Sequence, residues 1–237
     1  MTKIAVGMSG GVDSSAAAAL LIEQGFDVTG LTVKLCTGIC APTSDADDAA
    51  DICRQLGIPH AAPDLSDKFK EYVISPFITE YLNGGTPNPC IVCNRHIKFG
   101  AMLDFARDVL SCEKIATGHY AQIKKDGERF LLCRATDTAK DQTYVLYSLT
   151  QGQLSALELP LGTLTKEQIR EKARSLSLKV ADRPDSQDIC FVPDGDYAAF
   201  IERLTGKISP CGDFIDESEN VLGKHSGIIR YTVGQRK

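Results

Sequence analysis

Residues 3–15 read KIAVGMSGGVDSS, an apolar run, a glycine-rich turn and the first residues of an Ala/Leu-rich segment. Lys3–Met8 has the unbroken hydrophobicity of a strand buried on both faces. Ser14–Gln24 has the composition of a helix, stopped by Gly25. A turn passing straight from such a strand into a helix aims successive backbone N–H groups outward at the positive helix terminus, and that arrangement binds phosphate. Gly10 and Gly11 allow close approach of the backbone, and Ser9, Ser14 and Ser15 add hydroxyl donors. Asp13 fits either a helix cap or a magnesium contact. The loop holds no lysine, so it is not GxxxxGK[ST], and its spacing is not GxGxxG.

Further along, Asp27–Val33 reads as a second strand and Asp45–Leu56 as a helix closed by Gly57 and Pro59. Leu65–Leu82 reads as helical with a kink or break at Pro76. Asn83–Asn94 reads as a loop, Ile97–Leu110 as an amphipathic helix, and Lys114–Thr117 as a strand leading to Gly118 and His119. Tyr120–Lys124 and Arg129–Arg134, joined through Asp126-Gly127, form the pattern of a hairpin, and Thr165–Leu176 is helical. Strands alternating with helices predict an α/β fold with a doubly wound parallel sheet. After a helix near Tyr197–Leu204 the composition shifts to Gly, Ser and β-formers in short runs. Two units are therefore expected: residues 1–200 with the phosphate loop, and residues 201–237 beginning a small β-rich domain.

With 43% hydrophobic residues among 237, the chain can build one sizeable core plus a small second unit. No apolar run reaches the length of a membrane-spanning helix, and the start lacks the pattern of a signal peptide. The expectation is a cytoplasmic protein without a membrane partner. A net charge of −5 gives no global signal for nucleic acid. Nine irregularly spaced cysteines in so long a chain do not read as a secreted disulfide framework.

Cys90-x-x-Cys93, within TPNPCIVCNRHIKF (86–99), has the spacing of a redox pair or of half a metal site. Cys190, within PDSQDICF (184–191), can join them only through the fold. Three buried or incidental cysteines remain the alternative on spacing alone. Cys36 and Cys40 have no second pair to complete a zinc site, and Cys53, Cys112, Cys133 and Cys211 read as structural. His60, His96 and His225 have no companion at ligand spacing. Asp45, Asp47, Asp48 and Asp51 crowd a helix start, where acidic residues complement the dipole.

At the first strand–helix turn, SGGVDSS resembles the PP-loop of ATP pyrophosphatases, which cleave ATP to AMP and pyrophosphate to activate an acceptor. Four further strings follow the cysteine loop in order: ATGHYA (116–121), KDQTYVLYSL (140–149), DSQDICFVPDGDY (185–197) and RYTVGQRK (230–237). Together they resemble the bacterial-type tRNA-specific 2-thiouridylases over the whole chain. The resemblance implies an adenine nucleotide alpha hydrolase-like fold that uses ATP and Mg2+ to thiolate the wobble uridine, position 34, of tRNAs for Lys, Glu and Gln. It implies that Gly7, Met8, Ser9, Gly10, Gly11, Val12, Asp13 and Ser14 hold ATP, with Asp13 also serving the chemistry. Val33 and Gly118 would line the adenine and ribose pocket, although Val33 by itself reads as core.

The resemblance further implies that Cys190 carries sulfur as a persulfide and that Cys93 is the nucleophile able to close a disulfide with it. Asn88, Pro89 and Cys90 would lie near the target base, and His119, Lys140, Asp141 and Gln142 on the tRNA. A sulfur-relay protein or cysteine desulfurase would be the donor. Many family members have Asp where this chain has Cys90. Three thiolates at 90, 93 and 190 would be the ligands of a [4Fe–4S] cluster with one iron left open, an alternative to the persulfide. RYTVGQRK falls inside a central domain in the family, where a C-terminal β-barrel follows, so a chain lacking that barrel is expected. Two other readings stay open: a PP-loop synthetase or ligase activating a small metabolite, and a nonenzymatic tRNA-binding fragment.

Overall fold

A computed structural model of the chain describes residues 1–35, 45–178, 180–181, 189–192, 194–232 and 234–235. Strand β1 (Lys3–Gly7) pairs in parallel with β2 (Asp27–Leu31), Ala5 opposite Thr29. The sheet continues through β3 (His60–Ala61) on that side and through β4 (Lys114–Ala116) and β7 (Leu157–Glu158) on the other, in the order β3-β2-β1-β4-β7. All four pairings are parallel. The doubly wound sheet expected from the sequence is therefore present. The chain winds outward from β1 in one direction and returns to β4 on its other side, so the strand order reverses between β1 and β4. Ligands of open α/β sheets bind in the crevice at such a switch point.

Between these strands lie α1 (Val12–Glu23) and α2 (Asp45–Leu56), the latter with the bounds the sequence predicts. Next come α3 (Ser66–Phe69), a π-helical stretch Lys70–Ile74, and α4 (Ser75–Leu82). The helix is not broken at Pro76, but it changes from π to α just before that residue. Pro76 sits in the first turn of α4, and the wider π turns just before it absorb the change of hydrogen-bond register that a missing N–H demands.

A second departure matters more for function. The predicted loop around the paired cysteines is helical: α5 (Pro89–Val92) runs into a π-helical stretch Cys93–Ala101 and then α6 (Met102–Asp108). Asn88 is the N-cap, its Oδ1 accepting the Cys90 N–H at 3.1 Å, and Pro89 occupies the first helical position. Asn, Pro and Gly read as loop residues by composition, yet Asn-Pro is also how a helix begins.

Strands β5 (Ala121–Asp126) and β6 (Arg129–Arg134) form the expected hairpin, turning through Gly127 at φ 59°. Short α7 (Gln151–Ser155) precedes β7, and α8 (Lys166–Ser175) carries a complete capping box of Thr165 and Gln168. Helix α9 (Tyr197–Thr205) starts at Asp196 and stops at left-handed Gly206. The hairpin β8 (Gly212–Ile215) and β9 (Val221–His225) represents the β-rich segment.

The two faces of the sheet are covered separately. On one, Val6, Val12, Leu21, Ile169 and Ala173 join β1, α1 and α8. On the other, Ala5, Leu31, Phe99, Met102 and Ile115 join the sheet to α6. A third cluster lies among helices, where Phe191 meets Phe69, Phe77 and Phe200 at ring-centroid distances of 5.5, 5.2 and 5.4 Å. Fully burying one such ring contributes about 1.5–3 kcal/mol. Among the described residues no helix is long and apolar enough to cross a membrane.

Gly162 packs so tightly on β5 that a Cβ would stand 1.9 Å from the Ala121 carbonyl oxygen. Gly162→Ala must therefore move backbone, and chemical denaturation should show a loss of about 1–3 kcal/mol; an unchanged midpoint would contradict this packing.

Candidate active site

The turn after β1 enters the left-handed region at Gly10, φ 70°. Gly11 caps α1 without a side-chain hydrogen bond, the arrangement in which first-turn amides suit an anion. The serines brace the turn: Ser15 Oγ donates to the Gly11 carbonyl at 2.8 Å and Ser14 Oγ to the same oxygen at 3.2 Å. Ser9 N–H donates to Ser14 Oγ at 3.2 Å. Met8 is buried, its N–H donating to Leu31 O and its carbonyl accepting from Thr32 Oγ1, each at 2.9 Å. Gly7 continues β1 into this turn, and buried Val12 packs under it in the sheet core.

Gly118, just past β4, presses against the same loop. A Cβ there would meet the Asp13 carbonyl carbon at 2.7 Å and the Ser14 nitrogen at 2.8 Å. Only glycine lets the two segments touch. Val33 is partly buried against the core on the α6 side of the sheet.

The Asp13 carboxylate is bound from two distant segments. Tyr120 Oη donates to its Oδ1 at 2.8 Å, and Lys166 Nζ donates to Oδ1 and Oδ2 at 2.7 and 2.8 Å. The oxygen-donor chemistry of Asp13 suits Mg2+, and its side chain stays 30% exposed, so the carboxylate is not sealed from solvent.

The three candidate cysteines come together but in different settings. Cys90 and Cys190 are exposed, whereas Cys93 is buried in the helical aromatic cluster. Cys190 directly precedes Phe191, whose ring is anchored in that cluster. Burial pushes the Cys93 thiol from 9.0 up to about 12; the charge of Lys98 works against this, and Cys190 and Cys90 raise it further. Among the described residues no group of three or more His, Cys, Asp or Glu side chains is placed to hold a metal ion. Cys53 and Cys112 are buried as expected, Cys133 is half-buried, and Cys211 is exposed, which does not suit a core role. Cys36 and Cys40 lie outside the described residues, as does 182–188 before Cys190.

His119 is buried, with Nδ1 2.7 Å from Thr117 Oγ1 and its ring 5.9 Å from Phe99. Desolvation, assisted by the Lys98 charge, holds its pKa well below 6.5, so the imidazole is neutral. Asp141 and Gln142 are committed to local structure. Gln142 Oε1 accepts the Tyr120 N–H at 2.9 Å, and Asp141 Oδ1 accepts the Ala135 N–H at 2.8 Å. Burial opposes ionisation of Asp141, but hydrogen bonds from Thr143 and Ala135 outweigh it and lower the pKa. Lys140 is half-buried at the same corner. Asn88 is exposed and Pro89 buried at the start of the cysteine helix. Next to Cys93, Asn94 donates through Nδ2 to Val145 O at 3.2 Å, while its buried Oδ1 has no partner among the described residues.

Sequence reading missed Lys98, Tyr120 and Lys166. Lys98 stands five residues after Cys93, a spacing that faces away on an α-helix but aligns where the hydrogen bonds run i→i+5. Lys166 had no local signal, being 153 residues from its partner.

Residues 2–194 match the family described as the tRNA methyl transferase HUP domain, and residues 198–237 the tRNA methyl transferase PRC-barrel domain. The chain is 51% identical to tRNA-specific 2-thiouridylase MnmA of Acetivibrio thermocellus, covering 99% of this chain and 68% of that protein. It is 49% identical to the protein of that name from Lachnoclostridium phytofermentans, covering 100% and 69%. Among solved structures, a 4-thiouridine synthetase–RNA complex with bound ATP superposes with TM-score 0.56 at 17% identity, covering 85% of this chain and 50% of that one. NMN synthetase from Francisella tularensis gives 0.50 at 18%, covering 92% and 80%. At these identities the structural likeness speaks for the fold alone.

With its pKa near 12, Cys93 is about one part in ten thousand thiolate at pH 8. Iodoacetamide at pH 8 should label Cys90 at least about tenfold faster than Cys93, read by peptide mass spectrometry; equal rates would contradict the burial. Because folding raises this pKa, the Cys93 contribution to stability is complete below pH 9.0 and is lost as pH climbs toward about 12. Alkaline melting curves of Cys93→Ala should fall less steeply than those of the parent.

Proposed function

The chain belongs to the tRNA-specific 2-thiouridylase family, and from that premise we infer that it carries out ATP-dependent 2-thiolation of tRNA through a Cys190 persulfide. The single observation that carries the sulfur chemistry is the grouping of exposed Cys190, buried Cys93 and the Lys98 charge around one helix. ATP would lie over Gly7–Ser14, with Gly118 and Val33 toward its nucleoside and the Gly10-Gly11 turn toward its phosphates.

In the first step the uridine O2 attacks the α-phosphorus. An O–P bond forms, the bond to the β-phosphate oxygen breaks, and pyrophosphate leaves with the electron pair. Mg2+, which Asp13 is suited to hold, supplies neutralisation of phosphate charge when bound. The loop amides stabilise the same developing charge without reorganising. In the second step the terminal sulfur of the Cys190 persulfide attacks C2 and AMP leaves with the C2–O electron pair. Cys93, losing its proton, attacks the Cys190 Sγ. A Cys93–Cys190 disulfide forms, and the S–S electron pair remains on the sulfur now bound to C2. An external thiol reductant then restores the two cysteines.

Burial suits Cys93 to this order of events. A thiol held near 12 stays protonated and does not attack an arriving persulfide before the base is in position. No step is assigned to a [4Fe–4S] cluster. On the outer face of the cysteine helix, a cleft of about 620 Å³ is lined by Lys68, Arg95, His96 and Arg107, with Tyr72 stacked on His96 at 5.0 Å. Cations beside flat rings suit an RNA strand and support the tRNA assignment on a chain whose net charge is −5. Substrates would be the tRNAs for Lys, Glu and Gln, contacted near Asn88–Cys90 and around His119 and Lys140–Gln142. A sulfur-relay protein or cysteine desulfurase would load Cys190 in the cytoplasm.

Cys190→Ser should abolish 2-thiouridine, read by nucleoside mass spectrometry, while tRNA-dependent pyrophosphate release persists. Undiminished thiolation would remove Cys190 from the mechanism. Anaerobically purified protein should be fully active without iron; activity that tracks iron and sulfide content would favour the cluster instead.

A further inference from the structure

We propose that Lys166 is a side-chain cation of the nucleotide site, holding Asp13 in the free enzyme and stabilising, beside Mg2+, the pyrophosphate group as it leaves ATP. The proposal rests on the thiolation reading for its reaction, but its geometry stands independently. SGGVDSS has no lysine of its own, although the triphosphate it would bind needs positive charge as the Pα–O bond breaks and the electron pair passes to pyrophosphate. The fold brings that charge from 153 residues away: Lys166 Nζ reaches both oxygens of Asp13, in the first turn of α1, at 2.7 and 2.8 Å.

This lysine is not a loose surface group. Its side chain is 12% exposed, and its ammonium stands 5.8 Å from the Tyr120 ring centroid. Its backbone is fixed as well. Lys166 N–H donates to Asp137 Oδ2 at 3.0 Å, and the capping box of Thr165 and Gln168 sets the turn in which it lies. Helix α8 then packs Ile169 and Ala173 into the core shared with α1. A partly buried ion pair is weak evidence of stabilisation, because removing both charges from water consumes most of what their attraction returns. Lys172 already pairs with Glu23 between the same two helices, on their exposed side, so α8 does not need Lys166 to reach α1. Keeping a desolvated ammonium against the phosphate loop is explained by a ligand bearing concentrated negative charge.

The test compares the 237-residue parent with Lys166→Ala, Lys166→Arg and Lys172→Ala, the last removing an α1–α8 ion pair outside the loop. The readouts are tRNA-dependent pyrophosphate release, ATP affinity by equilibrium titration and thermal midpoint. Lys166→Ala should lower kcat for pyrophosphate release about 100-fold and weaken ATP binding about fivefold. Methylammonium added to Lys166→Ala should recover part of kcat, and Lys166→Arg should exceed alanine; Lys172→Ala should match the parent. Lys166→Ala within about threefold of the parent in kcat would overturn the proposal. So would an equal loss in Lys172→Ala, or a loss that follows the thermal midpoint and resists methylammonium. If the parent itself releases no pyrophosphate with tRNA, the thiolation reading fails. Lys166 is then judged on ATP binding, where equality of Lys166→Ala with the parent overturns its role.

Discussion

Parallel pairing of β1 with both β2 and β4 sends the carboxyl ends of all three strands to one edge of the sheet. Each strand must be followed there by a segment whose backbone is no longer satisfied by the ladder. The serine-braced loop follows β1, Thr32 and Val33 follow β2, and Thr117–Tyr120 follow β4. Their mutual contacts, with Gly118 against Asp13 and Thr32 on the Met8 carbonyl, are the means by which these segments recover packing and hydrogen bonds. The same contacts shape the crevice. Tyr120 and Lys166 close it from the hairpin side and from α8, tying two distant stretches of sequence to one carboxylate.

The sulfur side obeys a different constraint. Its residues belong to a helical layer whose cohesion comes from aromatic rings rather than strand pairing, with Phe191 making edge contacts to Phe69 and Phe77. Burial in this layer keeps Cys93 a thiol, while Cys190, one residue from the Phe191 anchor, remains in solvent. The layer therefore gives two cysteines of one polypeptide opposite surroundings. Lys98 links this layer to the nucleotide side, because its charge acts on both Cys93 and His119.

Much of the sheet was readable in the sequence because β1 carries an unbroken apolar run at Ile4–Val6, and β2 and β4 bury Val28, Leu31, Ile115 and Ala116. The two-residue strands β3 and β7 were not, since they exist through pairing with distant strands rather than through any local pattern. The PP-loop was legible as a string; its electrostatic partners were not, for Lys166 and Tyr120 meet Asp13 only after the chain has wound around the sheet. Composition misled at Asn88-Pro89, where loop-forming residues serve as cap and first turn. Asp141 and Gln142 show the converse limit: the string that drew attention to them is partly a device for fixing the corner after the hairpin.

The π-helical stretch Cys93–Ala101 behaves like a phase shift in a periodic signal. Gln153 Nε2 donates to the Arg95 and Phe99 carbonyls at 2.7 and 2.9 Å, supplying a partner beyond the helix that steadies the widened register. An α-helix advances about 100° per residue, so deleting a single residue between Cys93 and Lys98 would resynchronise the two halves while rotating one against the other. The core would retain its composition, yet the sulfur would point elsewhere. An insertion or deletion in that short window is therefore a change of aim rather than of length, felt at the Cys93 sulfur before it is felt in the fold.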